Sequence, residues 1–121
     1  MALTITPQAN PLGATLVQQT AASATPNNNV LGAAGTLYMV EVDNAANVAA
    51  VYVKLFNNAA PTVGTTPADE VYMCPAGVAR VWAIPQGVSY SVAVSLACVT
   101  GAAEASTTSP PNPVVVRLLG S

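Results

Sequence analysis

From Thr36 onward, apolar and polar residues alternate in short runs broken by turn residues. Thr36 to Val42 sets Tyr38, Val40 and Val42 against Leu37, Met39 and Glu41, the period of two that a half-buried strand carries. Ala49 to Asn57 repeats it, with Val51, Val53 and Leu55 predicted inward and Tyr52, Lys54 and Phe56 outward. Asp43 to Asn47 between the two runs reads as a hairpin-like connection joining antiparallel neighbours. Asn57 to Pro67 combines two Asn, two Pro and Gly64 and is a loop. Glu70 to Cys74 is a short strand, Pro75-Ala76-Gly77 a tight turn, and Val78 to Ile84 a strand with Arg80 and Trp82 on one face, closed by Pro85-Gln86-Gly87. Tyr90 to Thr100 alternates most regularly, with Tyr90, Val92, Val94, Leu96 and Cys98 expected in the core and Ser91, Ala93, Ser95 and Ala97 on a small, polar outer face. After a polar loop from Gly101 to Pro113, Val114 to Leu119 is apolar on both sides except at Arg117, so both its faces are expected to be covered.

Before Gly35 the pattern is lost. Met1 to Ala34 is rich in Pro, Asn, Thr and Ala; Thr15 to Thr20 alone suits a strand, and the stretch reads as an amino-terminal arm with little regular structure. The expected organisation is an arm over 1–34 and one domain over 35–121. No helical periodicity intervenes, so the fold class is all-β: an antiparallel β-sandwich of about seven to eight short strands, with jelly-roll and immunoglobulin-like orders both open.

Composition narrows the function. Only 7% of the 121 residues are charged while 52% are hydrophobic, against about 25% charged in an average soluble domain. A surface so poor in charge favours association with copies of itself or with a larger assembly. Three basic residues, Lys54, Arg80 and Arg117, against five acidic ones give a net charge of -2, the wrong sign for gripping a phosphate backbone, so nucleic acid is not an expected partner. The unbroken apolar run from Val48 to Val53 falls far short of the roughly 20 residues of a membrane span, and no membrane is expected. The amino end has no basic or apolar leader segment, which predicts synthesis in a cytoplasm.

Catalytic chemistry is thin. The chain has no His, so Ser89, Ser91 and Ser95 lack a base, and Asp69 and Glu70, being adjacent, point to opposite faces of a strand and read as solvated turn charges. Gly32-Ala33-Ala34-Gly35 lacks the Lys that a phosphate cradle needs. Cys74 and Cys98 read as two small buried thiols kept reduced, a bond formed after release from a cell staying open, and two thiols do not make a zinc site. No enzyme, cofactor or metal is expected. Trp82 reads either as an interface anchor with Arg80 as its cation partner or as a core ring beneath a surface Arg. Tyr38, Tyr52, Tyr72 and Tyr90 read as core and sheet packing.

Val51-Tyr52-Val53-Lys54-Leu55-Phe56-Asn57-Asn58, followed by Ala60-Pro61-Thr62-Val63-Gly64-Thr65, resembles a segment of the small capsid decoration, cement or head-fibre proteins of tailed bacteriophages. Pro85-Gln86-Gly87 with the strand after it, Thr100-Gly101-Ala102-Ala103, and Thr107-Thr108 before the Val-rich terminal strand fit the same pattern, which covers about residues 36 to 119. The resemblance implies a β-sandwich that binds the outer face of a capsid lattice and reinforces it, a virion localisation, and as partners the major capsid protein and further copies of itself, as a homotrimer. Arg80, Trp82, Tyr52 and Phe56 are the candidate interface residues. The alternative is a head or tail fibre knob, or a carbohydrate-binding module, using the loops Asn57 to Pro67 and Gly101 to Pro113.

Overall fold

The structure, a computed structural model, describes Leu3, Gly13 and residues 15–121. Among the described residues seven strands and no helix occur: β1 (Thr15–Ala22), β2 (Gly35–Asp43), β3 (Val51–Phe56), β4 (Glu70–Cys74), β5 (Ala79–Tyr90), β6 (Ser95–Val99) and β7 (Val114–Gly120). They form an antiparallel sandwich, one sheet in the order β1-β7-β2-β5 and the other β4-β3-β6. In the immunoglobulin constant order the fourth strand lies with the first, second and fifth, and the seventh with the third and sixth. Here the fourth and seventh have exchanged sheets.

The core lies between the sheets. Leu37, Val40, Val42, Val116 and Leu118 face Val51, Val53, Leu55, Leu96 and Cys98, all fully buried. Val51, Val53 and Leu55 point inward as expected. Several other expectations are corrected. Tyr38 does not share a face with Val40 and Val42: the register slips between Leu37 and Met39 on both sides of β2, so a bulge turns Leu37 into the core and Tyr38 out. The segment Asp43 to Asn47 joins no hairpin, because β2 and β3 lie in different sheets. The strand begun at Ala79 does not close at Pro85 but runs on to Tyr90. Gly87, at φ 76°, lets it pass, since a Cβ there would stand 2.3 Å from the Thr36 methyl. Tyr90 thus ends β5 and does not begin β6, and Val92 is exposed.

Both faces of the β3–β6 sheet are covered. Lys54 and Phe56, expected outward, are buried with Ala97 and Ser95 opposite them on β6. The reverse holds for β7, whose inner Val114, Val116 and Leu118 are buried while Val115, Arg117 and Leu119 are half-exposed.

The described part of the expected arm belongs to the sandwich. β1 pairs with β7 from Thr15 opposite Gly120 to Ala22 opposite Val114. The chain then crosses to the other sheet and runs beside β6. The Cys98 N–H donates to Ser23 (2.8 Å), Asn27 exchanges main-chain bonds with Leu96 (2.8 and 3.0 Å), and the Val30 N–H donates to Val94 (2.8 Å). No boundary falls at residue 34. Residues before 15, apart from Leu3 and Gly13, lie outside the described residues.

Candidate functional site

Among the described residues one long side of the sandwich is left open, where β4 ends one sheet and β5 the other. Alternation along β4 turns Glu70, Tyr72 and Cys74 inward and leaves Val71 and Met73 exposed. On β5, Trp82 stands half-buried opposite Val40, while Val81 is 59% exposed. The two strands meet through side chains. The Tyr72 and Trp82 rings pack edge-on with centroids 5.1 Å apart, a geometry that suits the ring quadrupoles. The Tyr72 hydroxyl donates to Glu70 Oε2 (2.8 Å) and the Tyr90 hydroxyl to Glu70 Oε1. Burial, and then the hydrogen bond to the Glu70 carboxylate, push both phenols well above the ordinary tyrosine range. Both therefore stay protonated donors, and the triad locks β4 to β5 where no ladder joins them. Glu70 is thus no solvated turn charge. Asp69 stays exposed, as expected of a solvated charge, while its Oδ2 accepts the Asn57 N–H at 2.6 Å.

The opposite wall carries a second polar device. Lys54 is buried under the loop that follows β6, and its Nζ donates to the carbonyls of Ala103 (2.9 Å), Glu104 (3.1 Å) and Ser106 (3.4 Å). Burial lowers the pKa of this ammonium and the nearby Glu104 carboxylate partly restores it. The loop after β3 closes on the same loop: Gly64 lies so near Thr107 that a Cβ would meet its methyl at 2.5 Å. The two loops offered for recognition are thus packed on each other and on the sheet.

A third network ties the crossovers at one end of the sandwich. Asn44 Nδ2 donates to Ala49 (2.9 Å), Pro75 (3.0 Å) and Cys74 (3.3 Å), while Asn47 Nδ2 donates to Asn44 Oδ1 (2.9 Å) and Asn112 O (3.1 Å). Both Asn side chains are buried and fully used. The sequence reading missed them; two Asn just past a strand that ends in Asp43 were the available signal.

Of the four candidate interface residues, Arg80 is exposed, Trp82 and Tyr52 half-buried, and Phe56 buried at 0% exposure. Arg80 and Trp82 lie together on β5; Tyr52 sits on the outer face of the other sheet. Phe56, fully buried, is unavailable to a partner. Arg80 makes no ion pair among the described residues, in contrast to Arg117, which bonds Glu41 Oε1 (3.1 Å) and Gln18 Oε1 (3.2 Å). Cys74 and Cys98 are free and buried. With β3 between their strands, two strand spacings of about 4.8 Å separate them, beyond the ~7 Å that a disulfide spans. Burial pushes the Cys98 thiol up to about 12. Among the described residues no three His, Cys, Asp or Glu gather as metal ligands, and no helix is long and apolar enough to cross a membrane. No known protein family, no curated protein and no solved structure matches the chain.

Proposed function

We propose that the protein is a structural component of a virion, a capsid decoration module that self-associates and binds the outer face of the capsid lattice through the major capsid protein. It works by contact and catalyses no reaction. One observation carries the reading: among the described residues the side formed by β4 and β5 is uncovered, with Val71 and Met73 exposed on β4 and Val81 on β5, just after exposed Val78, in a sequence with only 7% charged residues. Apolar area contributes about 25 cal/mol per Å² when buried, and a lattice multiplies weak contacts into stable attachment. The resemblance over residues 36 to 119 supports the same reading. Arg80 and Trp82 lie on that side, on β5.

The experiment is co-sedimentation of the purified protein with assembled capsids of a tailed phage whose genome encodes it, with capsid stability to heat measured alongside. Saturable binding at a fixed ratio to the major capsid protein, with a raised capsid melting temperature, is expected. Indifference to capsids, together with saturable glycan binding on an array, would replace the proposal with the fibre-knob reading.

A further inference from the structure

We infer that the free edge of β5 is a two-fold interface, on which a second copy of this chain adds its own β5 antiparallel and joins two four-stranded sheets into one of eight. This goes beyond the capsid reading and stands on the edge alone, with or without a capsid.

The first support is the direction of the main-chain groups. The Asn44 N–H donates to the Val78 carbonyl at 2.9 Å, and the register continues with Val42 opposite Arg80 and Val40 opposite Trp82. Residues facing a partner alternate along an antiparallel ladder. Arg80 and Trp82 therefore turn their main-chain groups to β2, and Ala79, Val81 and Ala83 turn theirs away from it, with no strand beside them among the described residues. An unpaired row of this kind templates another strand.

The second support is where the row stops. Beyond Ala83 the register with β2 jumps to Val88, and the excursion holds Pro85, which has no N–H, and Gly87 at φ 76°. Before Ala79 lies the Pro75–Gly77 turn. The flat stretch is 79–83, with Val81 at its midpoint. A two-fold axis at Val81 pairs 79 with 83 and 81 with itself, all with outward main-chain groups, for about six hydrogen bonds.

The third support is complementarity. That register sets Arg80 of each copy opposite Trp82 of the other, a close, non-hydrogen-bonded pair. An exposed guanidinium with no ion-pair partner among the described residues thereby meets an indole twice. An axis at residue 80 would instead oppose two guanidiniums. The other free edges fit less well: β1 is broken by a register shift between Gln19 and Ala22, and β4 carries no cation to face a ring. Antiparallel pairing of identical strands is isologous and closes at two copies, so the expected assembly differs from the homotrimer that the resemblance implies.

The test is the mass of the intact chain by sedimentation equilibrium across a range of concentrations, expected at twice 12.1 kDa. Val81→Pro deletes an outward N–H and leaves the β2 ladder whole; it should weaken self-association roughly 100-fold. Val81→Lys sets two cations face to face at the axis and serves where proline disturbs the strand. Arg80→Ala should weaken association about ten-fold and alter the fluorescence change of Trp82, the chain's one tryptophan, on dilution. Unchanged circular dichroism keeps each variant interpretable. A monomer at millimolar concentration, a trimer, or a dimer that both Val81 variants leave intact would overturn the inference.

Discussion

The two long sides of the sandwich solve one problem in opposite ways. On one, β6 is buried along its whole length, and residues 23 to 30 lie against its edge and take up its main-chain groups. On the other, β4 and β5 end their sheets with nothing beside them among the described residues. The difference follows from what each edge strand contains. Ser95-Leu96-Ala97-Cys98-Val99 has no charge, no proline and no bulge, none of the devices that keep a bare edge from pairing. A covering segment is its remedy. β5 carries Pro85 and a positive-φ Gly87, which blunt the half beyond Ala83 and leave the five residues 79–83 available. Closure on the first side secures the fold, and the second side is the one on which the two-fold contact is proposed.

The comparison breaks most visibly in the core beneath the closed side. Leu96 is fully buried and its main chain is bonded to Asn27 on one side and paired with Leu55 on the other. Leu96→Ala should lower the unfolding free energy by about 3 kcal/mol, read from urea midpoints at constant m. Val81→Thr, on the open side, should change it by less than about 0.5 kcal/mol. Equal losses at the two positions would mean that the sides are not energetically distinct.

A smaller effect is expected where the loops seal the outer face of the β3–β6 sheet. Lys54→Met keeps the apolar stem and removes the ammonium, leaving the carbonyls of Ala103, Glu104 and Ser106 without their donor. About 2 kcal/mol should be lost, and amides of residues 101 to 109 should exchange with solvent faster while those of β7 do not. Uniform acceleration across the sheet would show that Lys54 supports the global fold and not the loop.

Lys54 also marks the limit of what local pattern reveals. The all-β class and most strand positions were legible, because period-two runs and Pro/Gly breaks are properties of consecutive residues, but β5 runs on past Pro85 and takes Tyr90 from the strand expected after it. What covers a strand is not such a property. Lys54 and Phe56 alternate outward as a solvated face would, yet both are buried, Lys54 beneath a loop that begins more than forty residues further along the chain. The same reason hid residues 23 to 30: their polar composition reads as arm, yet Ser23 and Asn27 supply main-chain groups to β6, and the Gln19 side chain donates to Asn27 Oδ1 at 3.0 Å. The bulge at Tyr38 was equally invisible, since one extra residue inverts the assignment of faces without changing the run of side chains. Arg80 and Trp82 were legible as a pair sharing a face. Their place on a free edge was not, because it follows from the sheet order.

The smallest effect is expected at the triad that holds the open side together. The folded pKa values of Tyr72 and Tyr90 are raised above the ordinary 10.0, first by burial and then by Glu70. A group raised in this way stabilises the fold fully below its unfolded pKa, and that contribution is lost as pH climbs from there toward the folded value. Stability should not change through these phenols below pH 10 and should fall above it, with tyrosinate absorbance from the two rings rising late. Glu70→Gln removes the carboxylate charge but keeps an acceptor, so about 1 kcal/mol should be lost at neutral pH. With that charge gone both phenols ionise more readily, so the alkaline loss begins at the same pH and ends sooner. An alkaline profile identical in the variant would assign the raised pKa values to burial alone, and would leave the Tyr72–Trp82 ring contact as what ties β4 to β5.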